Sequence, residues 1–355
     1  MTKKTKPSAI QATLRQPNYW RYILGNGLSL IGTWMQRVAV GWLAWELTRS
    51  PAWLGIIAMS DFAPVFILGP LGGALADRHS RIRVMVGAQL AATLSALTLF
   101  GLSATGLLTV WHLAIFTFIT GCAVGINQPA RLALVPNLVP RELLTTAISI
   151  NAMVFNGARF VGPMFSTAVI ALWSIHGSFL INACSYMALI IALLSLRIPA
   201  HERPRTDGQQ QSLLDDIGEG IQFIRQHAAI RLIIAIMAMA ALCLRSVVDL
   251  LPGLTSDVFG KGADEFAVLT AIFGIGAIIG GIWMARRGGL GDQPIVALWG
   301  VLGTALFTVA LISTQEYMVA LPVALGIGFT TVVAGIGMQA TLHFSTPAAM
   351  RGRVM

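Results

Sequence analysis

Charge is scarce in this sequence. Only 11% of its 355 residues are Asp, Glu, Lys or Arg, against about 25% in an average soluble domain. That shortage excludes an ordinary soluble globular protein. Hydrophobic residues make up 55% and the mean hydropathy is +0.74, so a polytopic membrane protein is expected. Cysteine is nearly absent. Cys122, Cys184 and Cys243 each sit inside an apolar segment, which excludes a disulfide framework and makes them small packing residues. The six histidines are scattered, without the paired spacing of a zinc site, and no metal or cofactor is expected. No Walker-type glycine-lysine sequence occurs, so ATP would not drive the protein directly. No nucleophile–base pair lies within the apolar segments, and an enzyme is not expected. Residues 1–17 are polar and basic with no apolar core, so no cleavable signal peptide is expected and the first span would do the targeting. In a soluble protein the net charge of +9 would point to nucleic acid. Here the bases flank apolar runs in alternate loops, and nucleic-acid binding is not expected.

The apolar runs supply what the charges do not. A spanning helix needs about 20 mostly apolar residues, and ten such stretches stand at 22–46, 52–76, 84–103, 110–134, 144–171, 176–196, 230–251, 266–285, 294–314 and 317–342. The fold class is therefore all-α and integral to the membrane. Basic residues gather in the N-terminal tail (Lys3, Lys4, Lys6, Arg15, Arg21), at Arg78, Arg81 and Arg83, at Arg131 and Arg141, from Arg197 to Arg231, at Arg286 and Arg287, and at Arg351 and Arg353. The intervening loops hold only Arg49 and Lys261. By the positive-inside rule the tail, these basic loops and the C-terminus face the cytoplasm. Residues 197–229 form the longest polar stretch. Leu213, Leu214, Ile217, Ile221 and Ile224 recur within it at the spacing of an amphipathic helix on the membrane face. The expected layout is a six-span half over 1–196, a cytoplasmic linker over 197–229 and a four-span half over 230–355.

The halves repeat. Gly72-Gly73 recurs as Gly280-Gly281, Arg78 as Arg286 and Arg37 as Arg245, all at one offset, and Arg141 recurs as Arg351 two residues further on. Four correspondences in matching loops and spans indicate a parallel repeat. Carried to completion it would need two more spans after Met355. The expectation is ten spans present of twelve, in a fragment of a longer protein.

Ionisable groups inside spans are costly and are functional candidates by default. Arg37 and Asp61 each lie about 15 residues from the cytoplasmic end of their spans, roughly 22 Å in, so they can pair across adjacent helices. An opposite charge favours ionised Asp61, while desolvation favours the neutral acid. The pair can therefore carry a coupled proton or act as a static register lock. Arg245 and Asp249 are spaced i,i+4 and can pair along one helix face. Arg159 has no acid in its own helix and could bind an anion, pair with Asp61 or bond carbonyls. Asn26, Asn127, Gln128, Asn151, Asn156 and Gln339 are uncharged polar groups in or near spans. Trp20, Trp34, Trp42, Trp45, Trp53 and Trp111 are expected at interfacial belts, Trp34 excepted. Gly274, Gly276, Gly280 and Gly281 make a small-residue packing face.

Several stretches carry a resemblance. Two multi-span halves, with Gly73-x-x-x-Asp77-Arg78-x-x-Arg81-x-Arg83 between the second and third spans, resemble the major facilitator superfamily. The second-half counterpart, Gly281 to Arg287, has Ala285 where Asp77 stands. Asn127-Gln128-Pro129-Ala130-Arg131, then Pro136 to Leu143, then Asn151, Arg159, Gly162-Pro163 and Arg351-Gly352-Arg353-Val354-Met355 are similar to the exporter branch that includes the enterobactin exporter and macrolide efflux proteins. Ala158 and Gly162-Pro163 match the superfamily's antiporter motif, with Ser166-Thr167 in place of its final glycine pair.

The resemblance implies a monomeric secondary transporter in the bacterial cytoplasmic (inner) membrane, coupling protons to a small-molecule substrate by alternating access. The substrate would be a siderophore, a macrolide or another drug. Uptake of a metabolite and a transport-inactive sensor or assembly subunit are the alternatives. It also implies that Gly73, Asp77, Arg78, Arg81 and Arg83 form a gate, with Asp77 meeting the start of an eleventh span. Asn26, Asn127, Gln128 and Gln339 would be substrate contacts in a cavity lined by spans one, four, seven and ten; interhelical hydrogen bonding is their other reading.

Overall fold

The computed structural model describes residues 9–197, 222, 224–287 and 293–345. Some side chains within those ranges also fall outside the description, those of Asp77 and Arg245 among them. The amphipathic linker helix expected around Leu213 and the basic residues Arg351 and Arg353 lie outside it as well.

Eleven α-helices run through the described residues: α1 Ala9–Leu14, α2 Pro17–Thr48, α3 Pro51–Arg78, α4 Arg81–Ala104, α5 Val110–Leu134, α6 Leu144–Leu172, α7 Gly177–Leu194, α8 Ala228–Gly253, α9 Ala263–Arg287, α10 Gln293–Ser313 and α11 Tyr317–Ser345. Starts follow local chemistry. Proline opens α2 and α3 at a position whose N–H has no helical acceptor. Thr109 caps α5 by accepting from the His112 backbone N–H, and the His112 side chain closes the capping box. Seven helices among the described residues are apolar enough over their length to cross a membrane: Pro51–Ala76, Arg81–Ala104, Val110–Asn137, Gly177–Leu194, Ala263–Met284, Pro294–Ser313 and Tyr317–Leu342. Helix α2 is longer still, at 32 residues, but Asn26, Gln36, Arg37 and Glu46 dilute its apolar character.

The chain divides into two compact units. One comprises Met1–Glu202 with Thr255–Ala271, the other Arg203–Leu254 with Ile272–Met355. In the first, α3 packs along α5, α2 along α6 and α7, and α4 along α5 and α7. Its core at one end gathers Tyr19, Tyr22, Met85, Ala130, Leu134 and Leu193, all buried. The α3–α5 contact is unusually close for a physical reason. Pro64 lacks the N–H that would bond the carbonyl four residues back. That carbonyl, of Ser60, would lie 2.9 Å from a side chain built at Gly121, and the Asp61 carbonyl 2.7 Å. Only glycine lets α5 come this near.

The second unit uses the same device. A Cβ at Gly280 would meet the Phe329 carbonyl at 2.6 Å, and one at Gly276 would overlap Leu325. The small-residue face on α9 is thus a packing face, as expected. Thr304 of α10 donates to Thr330 of α11 at 3.0 Å.

Large apolar residues such as Phe66, Ile67, Trp299 and Leu306 are exposed on the helix surfaces, as lipid-facing positions are. Two expectations are corrected. Trp42 and Trp45 do not face outward as belt residues do: both are buried, Trp45 in the core beside Phe179 and Trp42 stacked on Phe266 with ring centroids 5.4 Å apart. Trp20 and Trp111 are exposed, as belt residues are. The Gly73–Arg83 stretch is not a loop either. Helix α3 continues through Asp77 to Arg78, α4 begins at Arg81, and only His79 and Ser80 lie between.

Candidate functional site

Helix α2 places Thr33, Trp34, Gln36 and Arg37 on successive positions of one turn. Across from them α3 brings Asp61. The Arg37 Nη2 atom lies 3.0 Å from Asp61 Oδ2 and donates to Oδ1 at 3.2 Å. Asp61 is 7% exposed, so its charge has been taken out of water and is compensated by a partner on the neighbouring helix. The Arg37 guanidinium also stands 4.3 Å from the Trp34 ring centroid, one turn back on the same helix. Arg159 of α6 stands over the same indole at 5.5 Å. Trp34 thus stands against two cations, one from its own helix and one from α6.

The layer continues into α7. Thr33 donates to the Tyr186 hydroxyl at 3.1 Å, and Asn182 donates to Gln36 Oε1 at 2.7 Å. Tyr186 is buried within electrostatic reach of Arg37 and Asp61. These partners were not singled out from the sequence, although Asn182 inside an apolar run of 18 residues is the kind of signal that marks them. Together α2, α3, α6 and α7 make a hydrogen-bonded polar layer inside an apolar bundle.

The remaining candidates disperse. Asn26 is 1% exposed and its amide points to Asn151 Oδ1 at 3.4 Å, an interhelical contact. Asn127 is buried, with its Oδ1 unpartnered. Gln128 accepts from Arg131 at 2.7 Å. Gln339 is exposed on α11. Arg245 and Asp249 share α8, but the Arg245 side chain lies outside the described residues. Gly73 has open space around it. Arg78 and Arg83 are exposed, while Arg81 donates to the Ala133 carbonyl at 2.9 Å. The Asp77 side chain lies outside the described residues. Arg131 differs from its reading as a loop residue: it sits in the last turn of α5 and is 5% exposed.

Among the described residues no group of three or more His, Cys, Asp or Glu side chains could hold a metal ion.

Comparison with known proteins places this bundle. Residues 8–355 match the family described as transmembrane secretion effector, MFS_3. The chain belongs to this family of the major facilitator superfamily. It is a multi-pass membrane protein. Its similarity to the macrolide efflux protein A of Streptococcus pyogenes is 25% identity over 74% of this chain and 65% of that protein. The enterobactin exporter of Shigella boydii serotype 4 is 25% identical over 95% of this chain and 80% of that protein. An uncharacterised MFS-type transporter of Bacillus subtilis is 28% identical over 56% of this chain. That match takes in about half of the Bacillus protein, 47% of its length. In fold the superfamily member superposes on a bacterial homologue of the human lysosomal transporter Spinster with a TM-score of 0.70 at 15% identity, over 99% of this chain and 78% of that one. A bacterial homologue of the iron transporter ferroportin gives 0.63 at 18% identity, over 95% and 86%.

Proposed function

We propose that the protein is a proton-coupled secondary transporter that exports a small amphipathic molecule by alternating access. The observation that carries this reading is the Arg37–Asp61 pair, 3.0 Å apart and bridging α2 and α3 inside the bundle. An ion pair between side chains of two helices inside an apolar bundle is a place where charge and helix position can be coupled. A rocking motion would separate the pair. The export direction is supported by relatives named for macrolide efflux and enterobactin export, and a relative in Staphylococcus aureus is named a staphyloferrin A transporter. The substrate class is accordingly a siderophore, a macrolide or another drug.

In this reading ten helices span the bacterial inner membrane of a monomer, six before the 197–229 linker and four after it, with the N-terminus in the cytoplasm. Asp77 and the arginines around it form the cytoplasmic gate. Arg159, with Trp34 beneath it, joins the charge relay, as do Arg245 and Asp249 on α8. Asn26, Asn127, Gln128 and Gln339 are the substrate contacts.

The test is Asp61→Asn in proteoliposomes with an imposed proton gradient, using a macrolide and a fluorescent dye as transported probes. The expected result is loss of gradient-driven transport with normal protein yield. Undiminished transport by Asp61→Asn removes the carboxylate from the mechanism.

A further inference from the structure

Among the described residues one buried cation is left over by the Arg37–Asp61 account. Arg131 lies at the other end of the first unit, on the last turn of α5. Its Nη2 donates to Gln128 Oε1 at 2.7 Å, and the guanidinium carbon stands 5.3 Å from the Phe155 ring centroid of α6. Its Nε is buried without a partner. Among the described residues no carboxylate pairs with it. The Tyr22 hydroxyl of α2, close enough to feel its charge, is likewise buried and unpartnered, as is the Asn127 oxygen one position before Gln128. A guanidinium removed from water is retained only where something compensates it. The negative end of the α5 dipole contributes, but that effect is modest and confined to the last turn. A neutral amide and an aromatic face do not neutralise a full charge.

The geometry points to an oxyanion-binding site formed by Arg131 and Tyr22 and oriented by Gln128, with a carboxylate group of the exported molecule as its ligand. The inference rests on the export reading above and narrows its substrate class to acids. The fork of a guanidinium matches a carboxylate through two parallel N–H donors, and the unused Nε is one such donor. The Tyr22 hydroxyl supplies a third bond, from α2. Phe155 covers the flat face and keeps water from competing. The 5% of Arg131 that stays exposed is the entry, and it lies on the end of the helices assigned to the cytoplasm, where an export substrate arrives. Among the described residues Arg131 has no carboxylate to displace, and the ligand's charge takes the partner's place.

The experiment titrates citrate, as a simple polycarboxylate probe, into purified full-length protein in nanodiscs and follows thermal unfolding. Triethyl citrate and equimolar chloride serve as the neutral and ionic controls. Wild type is expected to melt higher with citrate and to be indifferent to both controls. Arg131→Gln is expected to lose citrate affinity by about tenfold or more, since a charge-assisted bond is removed. Tyr22→Phe is expected to weaken it by a smaller factor. Arg131→Leu, without citrate, is expected to melt no lower than wild type, because an uncompensated charge has gone. A citrate shift preserved in Arg131→Gln, or no shift in wild type, overturns the proposal, as does a shift that follows the phosphatidylglycerol content of the nanodisc and ignores citrate. Asp61→Asn should bind citrate normally while failing to transport, so loss of one reading leaves the other standing.

Discussion

Gly121 lies directly against the backbone of Asp61: a side chain at Gly121 would come within 2.7 Å of the Asp61 carbonyl oxygen. The bulk that α5 lacks at this point sets where the acid sits relative to Arg37. Gly121→Leu should therefore force α3 and α5 apart, at a cost of about 1–3 kcal/mol for overpacking. It should also lower gradient-driven transport more than the stability loss explains. Gly87→Ala on α4, with open space around it, is the control. It should be neutral or slightly stabilising in thermal unfolding, by up to about 1 kcal/mol.

Trp34 should matter through its face, not its volume. Trp34→Leu keeps an apolar side chain but removes the ring that holds Arg37 at 4.3 Å and Arg159 at 5.5 Å. The loss should be on the order of 0.5–2 kcal/mol, with transport reduced and expression retained. Trp34→Phe should keep part of the effect. Transport assays on the three proteins at matched yield check this, and equal rates in all three would show that the ring carries no role.

Arg49 ends α2 in the left-handed region, at φ 48°, where a side chain costs roughly 1–2 kcal/mol relative to glycine. Its ion pair with Asp257, at 3.4 Å, is more than half exposed, and such pairs contribute little. Arg49→Gly should therefore raise the melting temperature despite losing the contacts to Ser256 and Asp257. Arg49→Val should lower it. A melting temperature that falls in Arg49→Gly would mean the pair outweighs the backbone strain.

Arg81 satisfies one of the carbonyls that the end of α5 leaves without a helical donor. Arg81→Ala should cost about 0.5–1.5 kcal/mol and increase amide hydrogen exchange around Ala133. Arg81→Lys, with a single-point donor in place of a fork, should recover part of it. Unaltered exchange at Ala133 in Arg81→Ala would show that the bond does not hold that helix end.

Helix positions were largely legible in the sequence because the apolar runs are long and the breaks carry turn chemistry. The stretch expected over 52–76 is observed as Pro51–Arg78, and that over 110–134 as Val110–Leu134. That Arg37 and Asp61 stand at one level was legible too, from their equal distance to the span ends, while their facing one another was not. Rotation about the helix axis was not legible. It decides that Trp42 and Trp45 face the core and that Arg131 turns inward under Phe155. It also decides that Gln36 meets Asn182. Hydropathy in a membrane helix is high on every side, so the pattern that reports facing in soluble helices is weak here. Burial then depends on where glycines admit a neighbour.

The two-residue link between Arg78 and Arg81 constrains how this end of the bundle can work. His79 and Ser80 leave no slack for one helix to slide or swivel past the other, and the Arg81 bond to α5 fastens the second of them to a third. A chain joined this tightly behaves as a bracket. Displacement of α3 at its Arg78 end is thereby passed to α4 and, through the Arg81 bond, to the Ala133 end of α5.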